Sequence, residues 1–422
     1  MPVLRAISKN HLSVIVSITR NAKANNAPHD TSEDHQSSVL DQLAQFIATF
    51  AGENQHLEIH IAELSELKLS ETQCSVLSKA VFLLLESKLL LKALVADSYF
   101  VDKVDYSSFK DLCKLDLALP NSEDNAFALV HSNASSLQFL KVRMDEYTGF
   151  EPFVRDSSKG QLITYAQLNE LVVMSSPEDQ PTKRLTFDKE YIPFPKLKRA
   201  DFTQIAYPFG DDTLFRGNKA TLEHVGMPLD NNLAVVLAGN QRDNPAVLAN
   251  YKALYKLEIN GNVNEVVADD EEASDYAYAI SANFLPHVKS MTIADIDLSG
   301  IFLDLISRQT WFTQMQVLRL KMYPISVQEV LPMLNILPLL RVFESGVSEL
   351  GHMLSHVPEE LLPKYVQSMG PVHPNLKEWQ IYQASNIDEA LLDTCTNLLT
   401  IKCPHVKIVE VGASDDDYLI DI

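Results

Sequence analysis

The stretch Tyr251–Asn262, YKALYKLEINGN, sets Leu254, Leu257 and Ile259 in an L-x-x-L-x-L arrangement that closes on Asn262. Along a short strand successive side chains point to opposite faces, so Leu257 and Ile259 share one side while Lys256, Glu258 and Asn260 share the other. Leu254, just ahead of the strand, joins the buried set. A single apolar triplet constrains little, because such triplets occur in any folded chain. Recurrence restricts the fold. The same trace returns at Leu112/Leu115/Leu117, Leu137/Leu140/Val142, Leu168/Leu171/Val173, Leu197/Ala200/Phe202 and Leu222/Val225/Met227. It continues at Val288/Met291/Ile293, Met315/Leu318/Leu320, Leu340/Phe343/Ser345, Leu376/Trp379/Ile381 and Val406/Val409/Val411. First positions lie about 25 to 36 residues apart, roughly 29 on average, which leaves room in each unit for one strand and a helix on the return path.

Helix-start signals fall behind the strands, as that period requires. Ser122 with Asn125, Asp269 with Glu272, Ser326 with Glu329 and Asn386 with Glu389 each stand shortly after a trace. Earlier in the chain, Leu12–Ile18 alternates as a first strand and residues 21–37 form a polar surface loop. Ser38 then caps a helix bearing Leu40, Leu43, Phe46 and Ile47. A strand over Leu57–Ile61 precedes the capping box Ser70–Gln73, and Leu91/Leu94/Ala96 supplies a further unit. Ser175–Glu190, with Pro177 and Pro181 and no helical stripe, predicts an extended connection in place of a helix. Ser348–Gly370 is the longest return segment, broken by Pro358 and Pro363.

The trace and its period resemble the irregular, strand-plus-helix leucine-rich repeat proteins over nearly the whole chain. That resemblance implies an α/β solenoid: a curved horseshoe with parallel strands on the concave face and helices and irregular segments on the convex face. One solenoid is expected over residues 1–411, with an N-terminal cap over about 1–56. Residues 412–422, ASDDDYLIDI preceded by Gly412, form an acidic tail or cap. Only Asn262 occupies the asparagine position of the family; elsewhere Asp145, Ser176, Asp230, Ser348, Ser414 or an apolar residue stands there.

Composition bounds the chemistry. An apolar fraction of 46% over 422 residues is enough for a continuous core. The formal charge of -21, from 56 acidic against 35 basic residues, argues against a phosphate-backbone partner, although a local basic patch is compatible with it. Cys74, Cys113, Cys395 and Cys403 lack C-x-x-C spacing and the density of a secreted disulfide scaffold, so they are expected to be reduced thiols. The N-terminus lacks a continuous apolar run before a cleavage site, and Val81–Ala96 is interrupted by Glu86, Lys88 and Lys92. The expectation is a soluble, cytoplasmic or nuclear protein that binds neither nucleic acid nor membrane, with the Asn133-Ala-Ser135 sequon unused.

No catalytic signature is present: no G-x-S-x-G elbow, no Walker loop, no H-E-x-x-H and no kinase set. His352 and His356 read as a solvated helical pair, since Met353 stands where a general base would be needed. His56, Glu58 and His60 share a strand face without a fourth ligand, and the acidic run Asp269–Glu272 lacks calcium-loop spacing. No metal, cofactor or catalytic residue is therefore expected. Between the second and third trace positions the series runs Asp116, Lys141, Val172, Asp201, Gly226, Glu258, Thr292, Arg319, Glu344, Gln380 and Glu410. This polar mixture has no repeated code, which suits a specific protein epitope. Lys256, Glu258, Thr292, Arg319, Lys321, Gln380 and Tyr382 are the candidate partner-binding residues, because Arg and Tyr are frequent interface anchors.

The irregular period and degenerate asparagine position are similar to the repeat portion of F-box proteins, the substrate receptors of cullin-type ubiquitin ligases. That resemblance implies a non-enzymatic scaffold that captures a target protein on the concave face, with a cullin-ligase adaptor as a second partner. The first strand, near Leu12, leaves no evident F-box ahead of it, so the receptor would be F-box-like. The alternative is a regulator of a small GTPase resembling the leucine-rich Ran GTPase-activating proteins.

Overall fold

The computed structural model describes residues 3–8, 11–17, 56–62, 90–96, 110–119, 124–144, 149–156, 159–175, 184–228, 251–260, 277, 287–294, 296–308, 312–325, 327–347, 364, 367–368, 370, 372–382, 397 and 400–411, the strands before residue 110 by their backbone alone. Two compact units are present, Met1–Arg199 with Thr213–Asn218 and Ala200–Asp212 with Lys219–Ile422.

In the first unit β1 (Val3–Ser8) pairs antiparallel with β2 (His11–Ser17), so the strand expected first is preceded by another. From β2 onward the sheet is parallel. β3 (His56–Ala62), β4 (Leu90–Ala96), β5 (Lys114–Leu119) and β6 (Phe139–Met144) follow in sequence order. A small antiparallel ribbon, β7 (Arg155–Asp156) with β8 (Gln161–Leu162), intervenes before β9 (Glu170–Ser175) pairs with β6. The ribbon and the short helix before it were not legible as elements. They are held by aromatic packing, with Phe153 edge-on to Phe127 at 5.0 Å and stacked on Phe150 at 4.8 Å, and by the Tyr165 hydroxyl donating to the Phe153 carbonyl at 2.6 Å.

The second unit continues the rule. β10 (Arg199–Asp201), whose first residue closes the first unit, neighbours β11 (His224–Pro228). β12 (Lys256–Asn260), β13 (Ser290–Ala294), β14 (Val317–Ile325), β15 (Val342–Val347), β16 (Glu378–Tyr382) and β17 (Lys407–Val411) then pair in parallel, each with the one before. In neither unit does the sheet close into a barrel. Parallel neighbours need a crossover. Helices serve at α1 (Asp124–Ser132) between β5 and β6, α3 (Ile296–Arg308) between β13 and β14, and α4 (Val327–Ile336) between β14 and β15; α2 (Glu151–Val154) is the short helix ahead of the ribbon. α1 and α4 begin where Ser122 and Ser326 signal. Each unit is thus α/β in class and built on a mainly parallel sheet, with few helices among the described residues.

The trace is the core. Every one of its residues from Leu112 to Ile381 is buried, Ser345 included. The register stacks them in columns: Leu115, Leu140 and Leu171 pair in turn in the first unit. In the second, Val225, Leu257, Met291, Leu318, Phe343 and Trp379 do the same. Each buried Leu, Val, Ile or Met is worth about 1.5–3 kcal/mol relative to exposure, which makes these columns the main stabilising feature.

One trace shifts by a residue. β17 sets Ile408 against Trp379 and Glu410 against Ile381, so Val409, not Glu410, aligns with Gln380. The sequence KIVEV is apolar on both alternations, and pairing with β16 decides between them.

The Asn133 sequon is buried and engaged: its Oδ1 accepts the Leu112 N–H at 3.0 Å and its Nδ2 donates to the Leu129 carbonyl at 2.9 Å. A glycan has no room there. Asn262, His352, His356, the loop 21–37, the helix starts at Ser38, Ser70, Asp269 and Asn386, and the tail 412–422 lie outside the described residues.

Candidate functional site

The face of β11–β17 opposite the core carries the mid-strand series in register. Gly226, Glu258, Thr292, Arg319, Glu344 and Gln380 pair successively, so neighbours stand one strand apart, about 4.8 Å.

Glu258 is the centre of a charged cluster. Its Oε1 lies 2.6 Å from Lys256 Nζ, two residues back on the same strand, and its Oε2 lies 3.3 Å from Nε2 of His224 on β11. Burial alone would raise the Glu258 pKa, but the His224 imidazole and the Lys256 ammonium together outweigh it and hold the carboxyl at about 2. His224 Nε2 is withdrawn from solvent beside the carboxylate.

Beside this cluster the face is closed. A Cβ at Gly226 would come within 2.7 Å of Asp201 Oδ1 and 2.9 Å of Thr203 Cγ2. Asp201 is fixed in that position because its Oδ1 accepts both the Thr203 N–H, at 3.2 Å, and the Thr203 hydroxyl, at 2.9 Å. Asp201, Thr203 and His224 are all buried. Glycine is the residue that lets the Asp201 turn lie against the sheet.

Further along, Arg319 Nε lies 2.8 Å from Oε2 of the buried Glu344, and Gln380 Nε2 donates to Glu378 Oε1. Thr292 and its neighbour Ser290, both partly exposed, form a neutral gap between the Glu258 cluster and the Arg319–Glu344 pair. The first unit carries a comparable arrangement, with Arg143 on Asp116 at 3.1 Å and Arg199 on Glu170 at 2.7 Å.

Five of the seven candidate residues, Lys256, Glu258, Thr292, Arg319 and Gln380, come together on this face. Lys321 does not join the row. It sits in an excursion of β14, where Leu320–Tyr323 stand opposite Ser345 alone, because Arg319 pairs with Glu344 and Pro324 with Gly346. Tyr382 ends β16, its backbone paired with Gly346 and Val411. Sequence reading missed His224 and left Glu344 out of the patch. Both belong to it through the neighbouring strand, a relation that the sequence of any single strand does not contain.

Among the described residues no three His, Cys, Asp or Glu side chains converge as metal ligands. Cys113 and Cys403 are unpaired thiols, and burial pushes Cys403 up to about 12, leaving it protonated and unreactive at neutral pH. No helix among the described residues is long and apolar enough to cross a membrane. No protein-family model matches the chain, and no curated protein sequence matches it.

Proposed function

We propose that this chain is a non-enzymatic protein-interaction scaffold, a solenoid of leucine-rich repeat type, with the sheet face of its second unit as the docking surface for a protein partner. The observation that carries the reading is the registered row from Glu258 through Thr292 to Arg319. Its charges are held in place by Lys256, His224 and Glu344, and its centre is neutral and partly exposed. Charges held in fixed pairs present one electrostatic pattern, which selects partners by complementarity.

The partner class follows from the same reading. As an F-box-like receptor in the cytoplasm or nucleus, the protein would hold a substrate on this face and a cullin-ligase adaptor elsewhere. Affinity purification of the tagged full-length chain from its native cells, with mass spectrometry, tests this. Cullin and adaptor recovered together support the receptor, and one stable partner without them supports a plain scaffold. Recovery of no protein above the untagged background contradicts both. Stimulated GTP hydrolysis across a panel of small GTPases would instead favour the regulator of the Ran-activating type.

A further inference from the structure

The residue immediately before each strand of the second unit forms another row, at the N-terminal rim of the sheet. Its members are tied side by side through the backbone: Lys289 N–H donates to the Tyr255 carbonyl at 2.8 Å, Gln316 to Lys289 at 2.8 Å, Arg341 to Gln316 at 2.7 Å and Lys377 to Arg341 at 2.8 Å. Lys289, Arg341 and Lys377 are exposed, and none of the three side chains has a hydrogen-bond or ion-pair partner among the described residues. The row meets one acid, Glu223, at its far end. On a chain of net charge -21 this is a local reversal of sign.

Apolar surface is also left uncovered in the row and in the segments that lead into the strands. Tyr255, Leu339 and Val372, at 47%, 38% and 58% exposure, are the large apolar side chains exposed among the described residues of the second unit. Tyr255 belongs to the row, and Leu339 and Val372 lie in the segments leading into β15 and β16. From Lys289 to Lys377 is three strand spacings, about 14 Å, the length of about four residues of extended chain.

We infer that this rim binds an extended acidic peptide segment of another protein, one that alternates carboxylates with aliphatic side chains. Carboxylates meet Lys289, Arg341 and Lys377, and the aliphatic groups cover Leu339 and Val372. A polyphosphate would gain the cations but nothing from the aliphatic surface. The inference concerns a different surface from the sheet face and stands whatever that face binds.

Fluorescence anisotropy on the full-length chain tests it, with a labelled ten-residue peptide alternating Asp or Glu with Leu. The comparisons are the same peptide with Lys for each acid and a labelled single-stranded ten-nucleotide DNA. The acidic peptide is expected to bind, to weaken with added salt, and to lose at least tenfold in affinity to a Lys289→Glu/Arg341→Glu/Lys377→Glu variant. A Leu339→Ser/Val372→Ser variant is expected to lose severalfold. If the charge-reversed chain melts early, Lys289→Gln and Lys377→Gln separately decide, each expected to weaken binding about threefold. Equal binding of the acidic and lysine peptides, unchanged binding by the variants, or tighter binding of the DNA than of the acidic peptide each overturns the inference.

Discussion

Trp379 donates its indole N–H to the Ser345 hydroxyl at 3.1 Å, with both side chains withdrawn from solvent. The contact explains a serine in a core column: a buried indole needs an acceptor, and the adjacent strand supplies it while the Trp379 ring stacks on Phe343 at 6.0 Å. Ser345→Ala is expected to lower stability by about 1–3 kcal/mol, because the indole loses its acceptor. Chemical denaturation of the purified chain reads this directly, and an unchanged midpoint would remove the hydrogen bond from the account.

Arg319 and Glu344 couple in the same way across β14 and β15, with Glu344 almost wholly buried and Arg319 about one-third exposed. Arg319→Met, which strips the guanidinium from a buried carboxylate, is expected to cost about 3 kcal/mol. Combining it with Glu344→Leu should recover part of that loss, since the buried charge goes too. A double-mutant cycle in urea measures the coupling.

Glu258 gives stability a pH dependence of known sign. Its folded pKa, about 2, lies below the ordinary 4.5, so the folded state holds fewer protons there than the unfolded one. The stabilisation is complete above about pH 4.5 and is lost as pH falls toward 2. Glu258→Gln should flatten the melting temperature against pH in that window. A variant with the wild-type slope would place the acid sensitivity elsewhere.

Gly226→Ala tests the closed end of the face. The added methyl meets Asp201 Oδ1, which two hydrogen bonds from Thr203 hold in place. Overpacking of this kind costs about 1–3 kcal/mol, and adding Asp201→Ala should relieve part of it, Thr203 Cγ2 remaining 2.9 Å away. Thermal melts of the single and double variants separate this clash from a general loss of fold.

The core was legible because period and alternation act locally: Leu254, Leu257 and Ile259 announce their side of β12 without reference to any other strand. The last trace was not, because Val409 and Ile408 are equally apolar and only pairing with Trp379 chooses between them. The excursion at Leu320–Tyr323 was hidden for a related reason: LKMY alternates well, and its misfit shows only against Ser345. Alternation likewise placed Glu258 and Arg319 on the outer face. It could not show that His224 and Glu344 hold them there, or that Lys289, Arg341 and Lys377 line up one residue earlier.

The most direct test of the central claim is parallel affinity purification of the wild-type chain and a Thr292→Arg variant. Thr292 lies in the neutral centre of the row, partly exposed, and a bulky side chain there fills the gap without removing any member of the Lys256–Glu258 or Arg319–Glu344 pair. The variant is expected to melt as the wild type does and to lose the wild-type protein partner. Full retention of that partner by the folded variant would contradict the assignment of this face as the docking surface.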